Sequence, residues 1–160
     1  MKAKLIVEGR EFPIEIQDPE LQKLLMPKKK TGYERVEYGE EYYYIDCENM
    51  VASSKEEHLC GDSDSYDVCN YYSDYTIAEN NARADKLMRL LRRFAVEHRE
   101  DYCERYVIVY CKDIKELQAR RDTEMLFCGP YFDSLKAVSY AIKTFHDELI
   151  WYFTEYKDSL

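Results

Sequence analysis

Glycine and proline are scarce, 5 and 4 among 160 residues, which excludes collagen-like and linker-like chains. No apolar run approaches the roughly 18 residues of a membrane span. Met1-Lys2-Ala3-Lys4-Leu5 is followed at once by Glu8, Arg10 and Glu11, where a secretory signal would carry its apolar stretch. The expectation is a cytoplasmic protein with no membrane partner and with reduced thiols. None of the 6 cysteines (Cys47, Cys60, Cys69, Cys103, Cys111, Cys128) forms a C-x-x-C pair, the chelating turn of many zinc sites. His58-Leu59-Cys60 with Cys69 is the only local group of ligand types, and no metal or other cofactor is expected. The chain also lacks G-x-G-x-x-G, a Walker loop, G-x-S-x-G and H-E-x-x-H. Of the three histidines, His98 ends a helical pattern, where a cation favours the dipole, and His146 sits beside Asp147 within another. No catalytic residue is assigned, and the chain reads as non-enzymatic.

Apolar residues make up 46% of the sequence, which excludes wholesale disorder. Charged residues make up 34%, with a net charge of -9, so the surface is heavily ionised. The anomaly is 16 tyrosines. Tyrosine is rigid and amphipathic, and is over-used where a surface grips a partner.

Residues 2–8 and 11–17 alternate about Gly9-Arg10, which predicts a β-hairpin. Asp18-Pro19 then begins a short helix with Leu21, Leu24 and Leu25 on one face, closed by Pro27 and the run Lys28–Gly32. Residues 1–30 thus form a small ββα appendage and linker, ahead of a core over 31–160. In that core, Tyr33–Tyr38 and Glu41–Asp46 are expected as strands around a turn at Gly39, with a third near Met50–Ser53. The polar residues 54–70 read as a loop. Apolar residues at three- and four-residue spacing from Asp74 to Arg99 predict a long helix, with Ser73 or Asp74 as cap. The order then recurs. Arg105–Cys111 is a strand, with two more at Leu117–Arg121 and Met125–Phe127. A last helix runs from Asp133 or Ser134 to about Tyr156.

A shift of 59 residues sets Cys69 on Cys128, Tyr72 on Tyr131, Asp74 on Asp133 and Ala78 on Ala137. The strand before each helix matches with Tyr42 on Tyr106 and Cys47 on Cys111. The expected fold class is α+β: two duplicated units of antiparallel sheet plus long helix, halves 31–100 and 101–160, with the N-terminal ββα appendage.

Charge is uneven. Glu34 to Glu79 holds 13 acids and 2 bases, whereas Asn81 to Arg99 holds 6 bases and 2 acids. The acids are interleaved with tyrosines, so the candidate partner-binding residues are Glu40, Glu41, Tyr43, Asp62, Asp64, Tyr66 and Asp67. Only one parity of Tyr42-Tyr43-Tyr44 can face outward, and Tyr43 is taken as that one. Carboxylates at a density like that of backbone phosphates mimic DNA and fit a basic groove, and aromatics add adhesion. Direct nucleic-acid binding needs the opposite charge. The alternative reading is a nucleic-acid-binding accessory protein using Arg83, Lys86 and Arg93 of the basic helix 81–99.

The stretches Tyr38–Asp46, Asn70–Ser73 and Ala78–Ala95, with Gly129–Ser134 and Ala141–Leu149, resemble small accessory proteins of Firmicutes phages and integrative mobile elements. That resemblance covers most of residues 32–155 and rests on strand–loop–helix signatures without an active-site residue. It implies a neighbourhood of host-defence inhibitors, anti-CRISPR proteins among them. The implied partner is a host protein with a basic groove, such as a CRISPR effector nuclease, inside a bacterial cell.

Thiol titration of freshly unfolded protein is expected to find all 6 cysteines free. A lower count, or zinc at one equivalent, would contradict this.

Overall fold

Period-two alternation near the N-terminus becomes an antiparallel hairpin of β1 (Lys2–Val7) and β2 (Arg10–Glu15), in register from Lys2↔Glu15 to Val7↔Arg10. Pro13 lies opposite Lys4, and proline is tolerated because a two-stranded sheet has only edge strands. The computed structural model describes residues 2–7, 10–19, 30–100, 104–123 and 129–156. The helix expected after Pro19 and the strand expected at Met125–Phe127 lie outside the described residues. The chain divides into two compact units, Met1–Thr31 and Gly32–Leu160. The class is mixed α+β, and no helix among the described residues is long and apolar enough to cross a membrane.

The second unit contains two further hairpins. β3 (Glu41–Ile45) pairs with β4 (Val51–Lys55) from Glu41↔Lys55 to Ile45↔Val51. β5 (Tyr106–Cys111) pairs with β6 (Glu116–Arg121) from Tyr106↔Arg121 to Cys111↔Glu116. Each strand alternates on a pleat, so each hairpin offers one face to the helix that follows it. The long helix α2 (Tyr75–Glu97) packs on β3 and β4; α3 (Leu135–Thr144) packs on β5 and β6. The caps are Asp74, which accepts from Ile77 N at 3.0 Å, and Ser134, which accepts from Ala137 N at 3.1 Å. Just before each cap a single bridge joins hairpin to helix, Tyr43↔Tyr72 and Tyr106↔Phe132. The bridge residues Tyr72 and Phe132, like the caps Asp74 and Ser134, stand 60 residues apart, whereas their strand partners Tyr43 and Tyr106 stand 63 apart.

Three expectations are corrected. Residues Tyr33–Tyr38 form no strand. Backbone donors there go to side chains instead, with the Tyr71 hydroxyl accepting from Val36 N at 3.3 Å and Glu40 from Glu37 N at 3.1 Å. Within the supposed loop 54–70, β4 continues to Lys55 and the helix α1 (Cys60–Asp67) follows. α1 carries no apolar stripe, so period-3.6 reasoning had nothing to find. The last helix is broken. α3 stops at Phe145, α4 (His146–Trp151) restarts, and a π-helical turn covers Tyr152–Tyr156. Phe145 sits edge-on to Phe94 at 5.5 Å, which anchors the break in the core.

The core gathers Leu87, Leu91 and Phe94 of α2 with Ile108, Phe132, Val138, Ala141 and Leu149. Gly32 has φ +87°, and a Cβ there would lie 2.7 Å from Ile77 Cγ1, so only glycine fits this entry to the unit.

Phe94 is 8% exposed, so Phe94→Ala is expected to destabilise the protein by about 3–5 kcal/mol in chemical denaturation. Phe153, expected on the same buried footing, is only half-buried, and Phe153→Ala should cost clearly less. Equal losses would contradict this core.

Candidate partner-binding surface

The acidic stretch is organised around a carboxylate that is not on the surface. Glu56, one residue past β4, is fully buried. Arg35 grips it with two bonds, Nε to Oε2 at 2.8 Å and Nη2 to Oε1 at 3.0 Å. The Tyr71 hydroxyl donates to Oε2 at 2.9 Å. His58 donates its backbone N–H to Oε1 at 2.9 Å, and its ring Nδ1 lies 3.0 Å from the same oxygen. A carboxylate only accepts, so the imidazole proton facing it sits on Nδ1. His58 has φ 56°, and these two bonds hold that left-handed backbone. The Arg35 guanidinium first, then the Tyr71 and His58 bonds, lower the Glu56 carboxyl to about 2 against the opposing effect of burial.

A second carboxylate shares this interior. Asp62, on the first turn of α1, is 5% exposed. It accepts from Glu57 N and Leu59 N, both at 3.0 Å, and from the Tyr42 hydroxyl at 2.9 Å. Those backbone bonds lower its pKa. The bonds to Tyr42 tie α1 to β3. Tyr42 stacks on Tyr71 at 4.0 Å and 11°, which joins the two buried carboxylates into one network. Burial, more than any other cause, pushes the Tyr71 hydroxyl up to about 12.

The structure therefore sorts the expected site residues. Asp62 is corrected: it is an internal carboxylate with no face for a partner. Alternation turns Tyr42 to Asp62 and Tyr71, whereas Tyr43 points the other way, edge-on to Tyr75 at 5.5 Å and half-buried. Glu41 shares that side and receives the Tyr43 hydroxyl at 3.3 Å. Glu41 and Tyr43 are thus separated from α1, which carries exposed Asp64, Tyr66 and Asp67. Glu40 is exposed and adjoins the network through its carbonyl, which accepts from Glu56 N at 2.9 Å.

Two surface residues escaped the sequence reading. Tyr38 is 69% exposed, and its ring lies 5.5 Å from the His58 ring. Glu57 is exposed between the two buried acids. On the far side of Glu56, the Arg35 guanidinium lies 5.7 Å above the Tyr66 ring. Tyr38, His58, Glu56, Arg35 and Tyr66 thus form one run of contacts, with Glu40, Glu57, Asp64 and Asp67 around it. The segment has two bases against its thirteen acids: Arg35 is paired with Glu56, and Lys55 lies opposite Glu41 in the ladder.

The basic helix is partly engaged. Arg83 pairs with Glu148 at 2.8 Å and lies 3.9 Å over the Trp151 ring, and Arg93 lies 3.7 Å from Glu97. Lys86 is exposed. Among the described residues no group of three His, Cys, Asp or Glu is placed to hold a metal ion, and His58 turns Nδ1 to Glu56.

Arg35→Ala leaves Glu56 buried without its cation, so the variant is expected to be less stable than wild type near neutral pH. Because the folded carboxyl lies below its ordinary value, at about 2, the Arg35 contribution is full above the unfolded value and fades as pH falls toward 2. The stability gap between wild type and variant should therefore shrink on acidification, read by denaturation at several pH values. A gap that is constant or widens would contradict the ion pair.

No family model matches this chain, and no curated protein or solved structure matches it.

Proposed function

We propose that the protein is a non-enzymatic phage or mobile-element protein that inhibits a host nucleic-acid-handling defence protein. In this reading it acts in the bacterial cytoplasm. It offers an acidic, tyrosine-bearing surface to a basic groove in place of nucleic acid, as an anti-CRISPR protein would. The observation that carries the reading is the surface around the Glu56 network. Exposed Tyr38 and Tyr66 flank it, and Glu40, Glu57, Asp64 and Asp67 are exposed in the same segment, whose Arg35 is paired with Glu56. Carboxylates held on a rigid frame attract a basic partner and speed its approach. Tyrosine rings already fixed against His58 and Arg35 lose little freedom on binding.

The same reading includes a duplication within 31–160. Each half pairs a hairpin with a helix, through one bridge placed three residues before the helix begins. The two halves have diverged in charge, and the first carries the binding surface.

The experiment is charge reversal. Glu40, Asp64 and Asp67, all exposed, are changed together to Lys, and the control changes Arg83, Lys86 and Arg93 to Glu. Against a CRISPR effector nuclease, the acidic variant is expected to associate at least about tenfold more slowly, with a flatter salt dependence, and to lose inhibition of DNA cleavage. The control should inhibit normally. Loss in the control with retention in the acidic variant would move the activity to the basic helix.

A further inference from the structure

A cleft of about 560 Å³ opens between the last turns of α2 and the segment 130–133, and no residue of the proposed inhibitory surface lines it. Arg92 and Val96 stand one turn apart on one face of α2, Arg99 follows just past its cap, and Arg105 faces them from the start of β5. Among the described residues, Arg92, Arg99 and Arg105 have no carboxylate at ion-pair distance, unlike Arg83, Arg93 and Arg121. The Arg105 guanidinium lies 5.7 Å over the Tyr131 ring.

Two carboxylates line the same cleft. Glu104 is occupied, by Arg121 at 3.1 Å and by the Tyr106 hydroxyl at 2.6 Å. Asp133 uses Oδ2 to accept from Glu100 N at 2.6 Å, which ties the end of α2 to the cleft wall. Its Oδ1 is buried, with no hydrogen-bond partner among the described residues. A buried acceptor without a donor is costly, and a ligand N–H or O–H would satisfy it. The carboxyl end of α2 contributes about half a negative charge, which three guanidinium groups outweigh.

We propose that this cleft binds a nucleoside phosphate. Arg92, Arg99 and Arg105 take the phosphate oxygens, since guanidinium forks match them. A rotation of the Asp133 carboxylate brings Oδ1 to a sugar hydroxyl or a base amino group, and Tyr131 with Val96 lines the remaining wall. The same chemistry comes from a free nucleotide or from one unit of a single strand.

Calorimetric titration of the full chain with pyrophosphate, with adenosine diphosphate and with a short oligothymidylate tests this. Pyrophosphate is expected to bind saturably, and adenosine diphosphate more tightly because it brings donors. Arg92→Gln, Arg99→Gln and Arg105→Gln should each weaken adenosine diphosphate about tenfold. These side chains are exposed, so thermal unfolding should not move. Arg93→Gln, on a pair with Glu97, should change nothing. Asp133→Asn keeps the bond from Glu100 through its carbonyl and turns the Oδ1 position into a donor. It should remove the advantage of adenosine diphosphate over pyrophosphate. Oligothymidylate binding with the same arginine dependence makes a strand the source, and binding of the free nucleotide alone makes that the source. No saturation by any of the three, or equal weakening by Arg93→Gln, overturns the site.

Discussion

The fully buried Glu56 carboxylate is the interaction on which the first half of the Gly32–Leu160 unit depends. It collects Arg35 from the segment before β3, His58 from the loop before α1, and Tyr71 from the approach to α2. Those three segments have little apolar surface of their own. A charge taken out of water is expensive, and that expense is offset only when every lone pair is met. Glu56 meets this condition through five contacts from three residues. The requirement fixes the relative position of chain segments that hydrophobic burial alone would leave loose. The helices of the two halves share an ordinary apolar core of Leu87, Leu91, Phe94, Val138 and Leu149.

This division changes the meaning of the interleaved acids and tyrosines. Two of these pairs are internal partners. Tyr42 donates to Asp62 and Tyr71 to Glu56. Tyrosine suits this use because its ring fills space while its hydroxyl satisfies a buried oxygen. What remains outside is a smaller set, Glu40, Glu57, Asp64, Asp67, Tyr38 and Tyr66. It is held on a frame that the internal pairs make stiff. The proposed grip on a basic groove rests on that stiffness as much as on the charge.

The legible parts of the fold were those with a period. Ala78, Ala82, Leu87, Leu91 and Phe94 mark α2 at helical spacing, and all five are buried. The alternation on either side of Gly9 marks the first hairpin. Cap residues narrowed to two candidates at each helix, and Asp74 and Ser134 are the ones used. The illegible parts were decided by side chains that carry no periodic signal. α1 is held by Asp62 and polar bonds, and no apolar stripe announces it. Glu56 and Asp62 sit among eleven other acids between Glu34 and Glu79, and nothing in composition separates a buried carboxylate from a solvated one. The break at Phe145 follows from its contact with Phe94, fifty-one positions earlier in α2, a distance that local pattern does not reach. Glu41 and Tyr43 were grouped with α1 by sequence proximity, and the pleat of β3 sends them to the other side.

Resolved titration of each carboxyl group by carbon-detected nuclear magnetic resonance tests the division between internal and external acids most directly. The account requires Glu56 to titrate at about 2 and Asp62 below its ordinary value, with both resonances shifting to higher pH when Arg35 and Tyr42 are respectively removed. A Glu56 resonance that titrates at or above the ordinary carboxylate value, indifferent to Arg35, would contradict the buried ion pair and the frame built on it.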